Sequence, residues 1–372
     1  MRNLFNTTGA LLLASAAAFA QEKVTGRNCF DGPRGCIQPG HEMTKQQMHC
    51  AYSAPARIEV RGSWDIYATG TYLYWQARQE NLDLGFNSNH TLIASISTVS
   101  KVKHPNFTYR SGFKFGLGYD SSYDNWDAFA EYTWFHSSIK TDMVPGGTNV
   151  VFPVQGHPIA DPSDIVNDIA YFGSASQYWN LKIDIADLSL ARAYYSGTKL
   201  TIRPYFGARG AWIRQIANSN YYDGITTGDG IALGTVLVKN RSVSQGIGPR
   251  LGMDSNWLVG YGFRLIGNAS GDILYTRYDV RNSQVTEGVT TTIKDKQDFL
   301  RSHTALDMGF GWGSYFSNNN WHVDLSATYG FQVFWNQNMF RFFSEAYNFA
   351  GSFAPNGNLY IHGAALNAKL DF

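Results

Sequence analysis

Fifteen residues near the end of the chain, Trp321 to Trp335 (WHVDLSATYGFQVFW), alternate between two chemistries at every step. Trp321, Val323, Leu325, Ala327, Tyr329, Phe331, Val333 and Trp335 share one parity. His322, Asp324, Ser326, Thr328, Gly330 and Gln332 share the other, which ends on Phe334. A period of two held this long exceeds the usual run of a soluble strand. At ~3.3 Å per residue and ~40° of tilt, the two Trp would stand roughly 35 Å apart along a membrane normal. A strand facing lipid needs this form, with apolar residues outside, polar residues inside and an aromatic ring at each interface. A soluble sandwich strand alternates too, but rarely for so long or with Trp at both margins.

The last residues repeat the pattern. Tyr360, His362, Ala364, Leu366, Ala368, Leu370 and the terminal Phe372 share one parity, and a final strand ending on Phe is the signal expected by the barrel-assembly machinery. Between Arg61 and the end, ten β-like segments follow one another: 61–78, 110–120, 126–139, 176–194, 199–218, 240–255, 257–279, 297–316, 320–337 and 357–372. Their links alternate in length. Ser121–Asn125, Tyr195–Thr198, the region around Asn256 and Ser317–Asn319 read as tight turns, whereas 79–109, 140–175, 219–239, 280–296 and 338–356 are long and polar. The expectation is an all-β fold, an antiparallel transmembrane β-barrel of about ten strands, with short periplasmic turns and long extracellular loops. Twelve strands result if part of Thr91–Val99 also pairs. An even count puts both termini in the periplasm. Composition agrees: aromatics make up 15% of the 372 residues, Gly is abundant, and charged residues are only 16% with a net charge of +1. That balance offers no basic footprint for nucleic acid, and no apolar run reaches the ~18 residues of a spanning helix.

Residues 1–20 read as a signal peptide. Arg2 gives the positive start, Ala10 to Ala14 the apolar core, and Ala18-Phe19-Ala20 the small-x-small cleavage site. Residues 21–60 would then form a periplasmic segment, and 61–372 the barrel in the bacterial outer membrane. All three cysteines, Cys29, Cys36 and Cys50, fall in that segment. Export places them in an oxidising compartment, so disulfides are expected, with one thiol left for another chain or free. A Cys29–Cys36 loop with Cys50 idle is the simplest arrangement. A zinc site with His41 and His49 is disfavoured by the spacing.

Several segments are similar to the major outer membrane protein family of Legionella and the chlamydia-like bacteria. They are Gly112-Phe113-Lys114-Phe115-Gly116-Leu117-Gly118-Tyr119 with Asp124-Asn125-Trp126-Asp127 and Glu131-Tyr132-Thr133-Trp134, then Leu200 to Ile213 (LTIRPYFGARGAWI), and Leu73-Tyr74-Trp75-Gln76-Ala77. The resemblance implies an abundant outer-membrane protein with porin activity and, in the chlamydial relatives, disulfide cross-linking of the envelope. Confinement of the cysteines to the N-terminal segment departs from that last feature.

Phasing each strand by its apolar parity assigns the other parity to the lumen. Strand five then points Arg203 and Arg209 inward, strand six Arg250 and Asp254, and strand seven Gly260, Gly262 and Arg264. Counted from the expected turns, Arg203, Arg250 and Arg264 should share one depth, with Arg209 higher. Elsewhere the inward parity offers Asp127, Glu131, Asp307 and Asp324, together with Lys114. The pattern predicts a basic wall facing a largely acidic one, a transverse field that orients small polar solutes, and an arginine cluster that draws anions. The same groups could instead pair across a narrow barrel and fill it. Strand four phases poorly: Leu181, Ile183 and Ile185 share a parity that Leu188 and Leu190 do not, which a bulge near Ala186 or Asp187 would explain.

The sequence carries no nucleophile elbow, phosphate loop or dinucleotide fingerprint, and Gly309-Phe310-Gly311-Trp312-Gly313 sits in a strand pattern. Asp83, His90, His136 and Asp142 fall near the expected outer rim, where such residues are ordinary solvated surface. The expectation is therefore a protein that is not an enzyme and needs no cofactor, a porin passing ions and small polar solutes by passive diffusion. The alternative is a closed barrel acting as surface adhesin or disulfide-linked envelope scaffold, with loops Thr141–Tyr178 and Tyr221–Lys239 as its effective parts. Expected partners are outer-membrane lipid, the assembly machinery through the Phe372 strand, small solutes, and either further copies of the chain or disulfide-linked envelope proteins.

Overall fold

The computed structural model describes residues 52–58, 60–62, 64–89, 101–121, 125–155, 170–226, 232–286, 288–346, 349–353 and 356–372. They belong to one compact unit, Cys36–Phe372. Cys29, Cys36, Cys50, His41, His49 and the expected signal peptide lie outside the described residues.

Ten antiparallel strands close into a barrel. They are β1 (Ile66–Gln79), β2 (Tyr109–Asp120), β3 (Trp126–Met143), β4 (Ser174–Arg192), β5 (Leu200–Thr226), β6 (Ala232–Gly260), β7 (Phe263–Thr286), β8 (Val289–Phe316), β9 (Trp321–Asn338) and β10 (Gly357–Asp371). Each pairs with its sequence neighbours, and β10 pairs with β1 from Leu359↔Gln79 to Asp371↔Tyr67, so no sheet edge remains. A short strand, Tyr52–Pro55, pairs with Tyr194–Ser196 at the β4–β5 turn, tying the segment before the barrel to its periplasmic end.

Parity decides what each strand buries. Along β9, Trp321, Leu325, Tyr329, Phe331 and Trp335 are exposed on the outer face, whereas His322 and Asp324 are buried inside. Along β4 the register with both neighbours is continuous through Ala186 and Asp187, so the expected bulge is absent. Leu181 is 0% exposed and Leu188 60%, because Leu181, Ile183 and Ile185 face the lumen while Leu188 and Leu190 face lipid. The misleading phase has a chemical origin: this strand is apolar on its inner face in its outer half.

Two further corrections follow from turn chemistry. The turn expected near Asn256 lies at Tyr261–Gly262, where Gly262 supplies a left-handed φ of 83° and Tyr261 one of 53°. Gly262 therefore lies in the turn and Gly260 ends β6 against Phe263, at the barrel's margin and not along its lumen. The β8–β9 turn uses Ser317, Asn318 and Asn319, all left-handed, with φ of 53°, 56° and 68°.

The long loops are also shorter than expected. β5, β6, β7 and β8 have 27, 29, 24 and 28 residues, absorbing most of 219–239 and 280–296. A strand of that length reaches about 70 Å at ~3.3 Å per residue and ~40° tilt, more than twice the ~25 Å apolar band, so both hairpins project beyond the membrane. Val289-Thr290-Thr291-Thr292-Ile293 shows why polarity misled: Thr and Val favour extended backbone, and ladder hydrogen bonds sustain it without an apolar face. Strands 85–89, 101–103 and 149–153 form a separate three-stranded sheet. The flanks of Thr91–Val99 thus enter this sheet, and the barrel keeps ten strands.

Candidate functional site

The inward positions divide the lumen into two layers. The periplasmic half encloses a cavity of about 410 Å³. Its wall runs from Arg57, Asn125 and Thr201 at the mouth to Thr133, Arg209 and Gln332 at mid-barrel, and it includes all the inward charges expected from sequence: Lys114, Asp127, Glu131, Arg203, Arg209, Arg250, Asp254, Arg264, Asp307 and Asp324.

The arginines do not share one depth. In the frame of β6, Arg264 stands opposite Leu258, Arg203 opposite Asp254, and Arg250 opposite Gly207 on β5, so each is four residues from the next. The displaced turn accounts for this, since counting from Asn256 placed β7 too high. The stagger lets each guanidinium meet its own carboxylate. Arg264 pairs with Asp324 and donates from Nε to Asn256 Oδ1 (3.0 Å). Arg203 donates to both oxygens of Asp127, with Nε to Oδ2 at 2.9 Å, and through Nη1 to Asp254 Oδ2 (2.7 Å). Arg250 donates to Asp187 Oδ2 (2.6 Å). The ring of Tyr205 lies between Arg203 and Arg250, with their guanidinium carbons 5.9 and 5.2 Å from its centroid. Lys114 meets Glu131 at 3.0 Å. Pairing replaces the expected field between two walls with local neutralisation.

Deepest in the cavity, Arg209 is held by three strands at once. Its Nε and Nη2 donate to the two oxygens of Asp187 (2.6 and 2.7 Å), and its Nη1 donates to Asp272 Oδ2 (2.8 Å). His303 Nδ1 lies 2.8 Å from the same Asp272 oxygen. All four side chains are buried, and a buried charge is tolerated only with such partners. Asp187, Asp272 and His303 were not among the residues expected from sequence. The usable signal was their parity: Asp187 shares the inward face with Ser189, and Asp272 with Arg264.

Asp307 differs. It has no ion pair among the described residues, and its carboxylate lies against Gly330 of β9, where any Cβ would collide with it.

Directly above Arg209 the inner face turns apolar. Leu73 and Trp75 (β1), Phe135 (β3), Trp179, Leu181, Ile183 and Ile185 (β4), Ala211 and Ile213 (β5), Leu274 (β7), Phe334 (β9), and Leu359 and Ile361 (β10) form one buried cluster across the lumen. The connections complete it with Leu82, Phe107 and Phe340. Phe340 enters because β9 shifts register between Phe334 and Asn338, with Asn336 left-handed at φ 53°; such a bulge re-aims the chain. Some of the polar groups at and above the layer bond to one another or to the backbone: Trp179 Nε1 donates to Gln215 (3.3 Å), Gln337 Nε2 to Ser244 (2.8 Å), and Tyr221 OH to the Leu84 carbonyl (2.7 Å).

Of the rim residues, Asp83 meets His104 Nδ1 at 2.6 Å, His136 Nε2 lies 3.8 Å from Asp184, and Asp142 meets Lys140 at 3.2 Å. They make separate contacts; His90 lies outside the described residues.

Residues 58–372 match the family described as Legionella pneumophila major outer membrane protein precursor. The chain belongs to this family. Its membership and barrel fold place it in the bacterial outer membrane. Among curated proteins, none matches the chain in sequence. Solved structures similar to this family member include the outer membrane protease OmpT of Escherichia coli, at 10% identity and a TM-score of 0.42, covering 85% of this chain and 99% of that one. The Pseudomonas putida toluene transporter TodX is similar at 7% identity and a TM-score of 0.25, covering 90% and 96%. A Pseudomonas aeruginosa FadL homologue is similar at 7% identity and a TM-score of 0.24, covering 91% and 95%. At these scores none of the three bears on what the family member does.

Proposed function

We propose that this family member is a narrow porin, passing ions and small polar solutes by passive diffusion, with the apolar layer as its constriction. The observation that carries the reading is the polar cavity. Small barrels tend to be filled by side chains, yet here a charged space reaches from the periplasmic mouth to mid-barrel beneath the apolar layer. Hydrophobic constrictions gate by dewetting, admitting water and ions only when widened.

Pairing bears on selectivity. The cavity wall carries seven basic and six acidic side chains, and Arg203, Arg209, Arg250 and Arg264 are each bonded to carboxylates. In this reading the arginines keep the wall hydrated and in place, and selectivity between anions and cations is weak. The C-terminal strand presents Phe372 beside Trp321, ring centroids 6.0 Å apart, which suits its expected role toward the assembly machinery.

The packed apolar cluster favours a second reading, a closed barrel that presents its long hairpins at the surface. Single-channel recording of refolded protein in a planar bilayer under a salt gradient separates the two. The porin reading expects small discrete steps from the wild type, larger steps from Trp179→Ala, and a reversal potential near zero. A folded barrel that passes no current in either form would decide for the closed one.

A further inference from the structure

The outer rim of the barrel is chemically one-sided. Around β9, β10 and β1, outward residues near the extracellular margin are mostly aromatic or neutral, as with Trp335, Tyr360 and Tyr74, with Arg78 opposite Tyr360 as the basic exception. Across β4 to β8 they are rich in charge, and basic residues there stand side by side. Lys182 stands directly opposite Arg214, and one row further out Arg241 stands opposite Arg281, which stands opposite Lys294. All five share the parity of the lipid-facing Leu188, Trp212, Ile247, Tyr275 and Leu300 on their own strands, so all project outward.

Like charges directly opposite on neighbouring strands oppose pairing, and none of these five has an acidic partner among the described residues. The nearby carboxylates are occupied: Asp298 by Arg277 (3.2 Å), Asp279 by Lys296 (3.9 Å), and Asp184 by the Tyr132 hydroxyl (2.7 Å). Neighbouring residues across a ladder are ~5 Å apart, close enough for one phosphate to meet two of them, and guanidinium suits phosphate in bidentate fashion.

Height selects the source of the phosphate. Trp212 and Tyr275 belong to the upper aromatic belt, which marks the headgroup level. Arg214 lies two residues above Trp212, and the Arg241 row, opposite Ile216, four above it. At ~3.3 Å per residue and ~40° tilt these are about 5 and 10 Å beyond the belt. We propose that the β4–β8 face docks the phosphate groups of an outer-leaflet glycolipid, with Arg241, Arg281 and Lys294 as the central contacts.

The test uses full-length protein refolded in neutral detergent, with bis-phosphorylated lipid A and its phosphate-free counterpart as probes. Binding is read by native mass spectrometry. The triple variant Arg241→Gln/Arg281→Gln/Lys294→Gln should bind the phosphorylated lipid ~100-fold more weakly, at about fivefold per cation near an anionic headgroup. Equal binding by wild type and variant, or equal binding of the phosphate-free lipid, would overturn the proposal. So would inorganic phosphate raising the thermal midpoint as much as the lipid, because the site would then take a soluble anion. Folding is controlled by Arg281→Gln alone. Relief of repulsion should raise its midpoint in neutral detergent, and the wild type should gain more from the lipid than the variant does. A lower midpoint for Arg281→Gln without lipid would show the row already compensated and end the idea.

Discussion

The two halves of the lumen are built on the same strands and the same inward parity, yet their chemistry is opposite. On β4, Asp187 and Ser189 give way to Ile185, Ile183 and Leu181. On β5, Arg203 and Arg209 give way to Ala211 and Ile213, and on β7 Asp272 gives way to Leu274. The periplasmic half lines an open cavity and carries charge; above it the apolar cluster packs like a soluble core. A membrane barrel needs an apolar outer face, and its interior is free to follow whatever the function requires. Where the two layers meet, the His303 ring lies 4.2 Å from that of Phe334, so the buried ion network is the floor on which the apolar layer rests.

The largest effect is expected at that floor. Asp187→Ala leaves Arg209 and Arg250 without their shared carboxylate and should cost about 3–5 kcal/mol, as for other broken buried pairs. Replacing two partners together, Asp187→Leu with Arg209→Met, should recover part of the loss, because the buried Arg209 charge goes with its carboxylate, while Arg250 faces the cavity and Asp272 keeps His303. Urea unfolding in bilayers measures both. A double variant no more stable than Asp187→Ala would show that the network does more than neutralise itself. Within the layer, Leu181→Ala should cost about 2–5 kcal/mol, depending on how far the neighbours close in. The matched outward change, Leu188→Ala, should cost much less because lipid fills the space. Equal losses would mean that the layer is not packed as a core.

How much of this was legible in the sequence depends on which face is asked about. The outward parity of β9 and β10 showed the fold directly, because lipid imposes one rule on every strand. The inner face obeys no single rule. Arg203, Arg250 and Arg264 could be assigned inward by alternation, but their relative depth depended on the β6–β7 turn, and Asn256 was as good a turn former as Tyr261–Gly262. The apolar layer was visible only as a fault, the phase break at Leu181–Leu190, since an inner face that changes chemistry halfway resembles a bulge. Asp187, Asp272 and His303 come from three strands that β5 and β6 bring together, and no spacing in one chain announces that. The cysteines of the N-terminal segment lie outside the described residues and are untouched by this comparison.

Smaller effects sharpen the boundary from the wet side. Gly330 leaves room for the Asp307 carboxylate, and Gly330→Ala should destabilise by about 1–3 kcal/mol, as overpacking does. Asp307→Ala on that background should restore stability, and a loss that persists would place the strain in the β9 backbone instead. Lys114 and Glu131 lie on the open side of the cavity, with side chains 23% and 16% exposed. Water there screens the pair and solvates whichever partner is left, so Lys114→Met should cost no more than ~1 kcal/mol. The contrast with Asp187→Ala is the point of that measurement. Both variants break an ion pair on the same inner face, where Glu131 stands directly opposite Asp187, and what differs is how far each pair is buried from the water of the cavity. If Lys114→Met proved as damaging as Asp187→Ala, the cavity would have to be dry, and the division of the lumen into a hydrated half and a packed half would fail at its lower boundary.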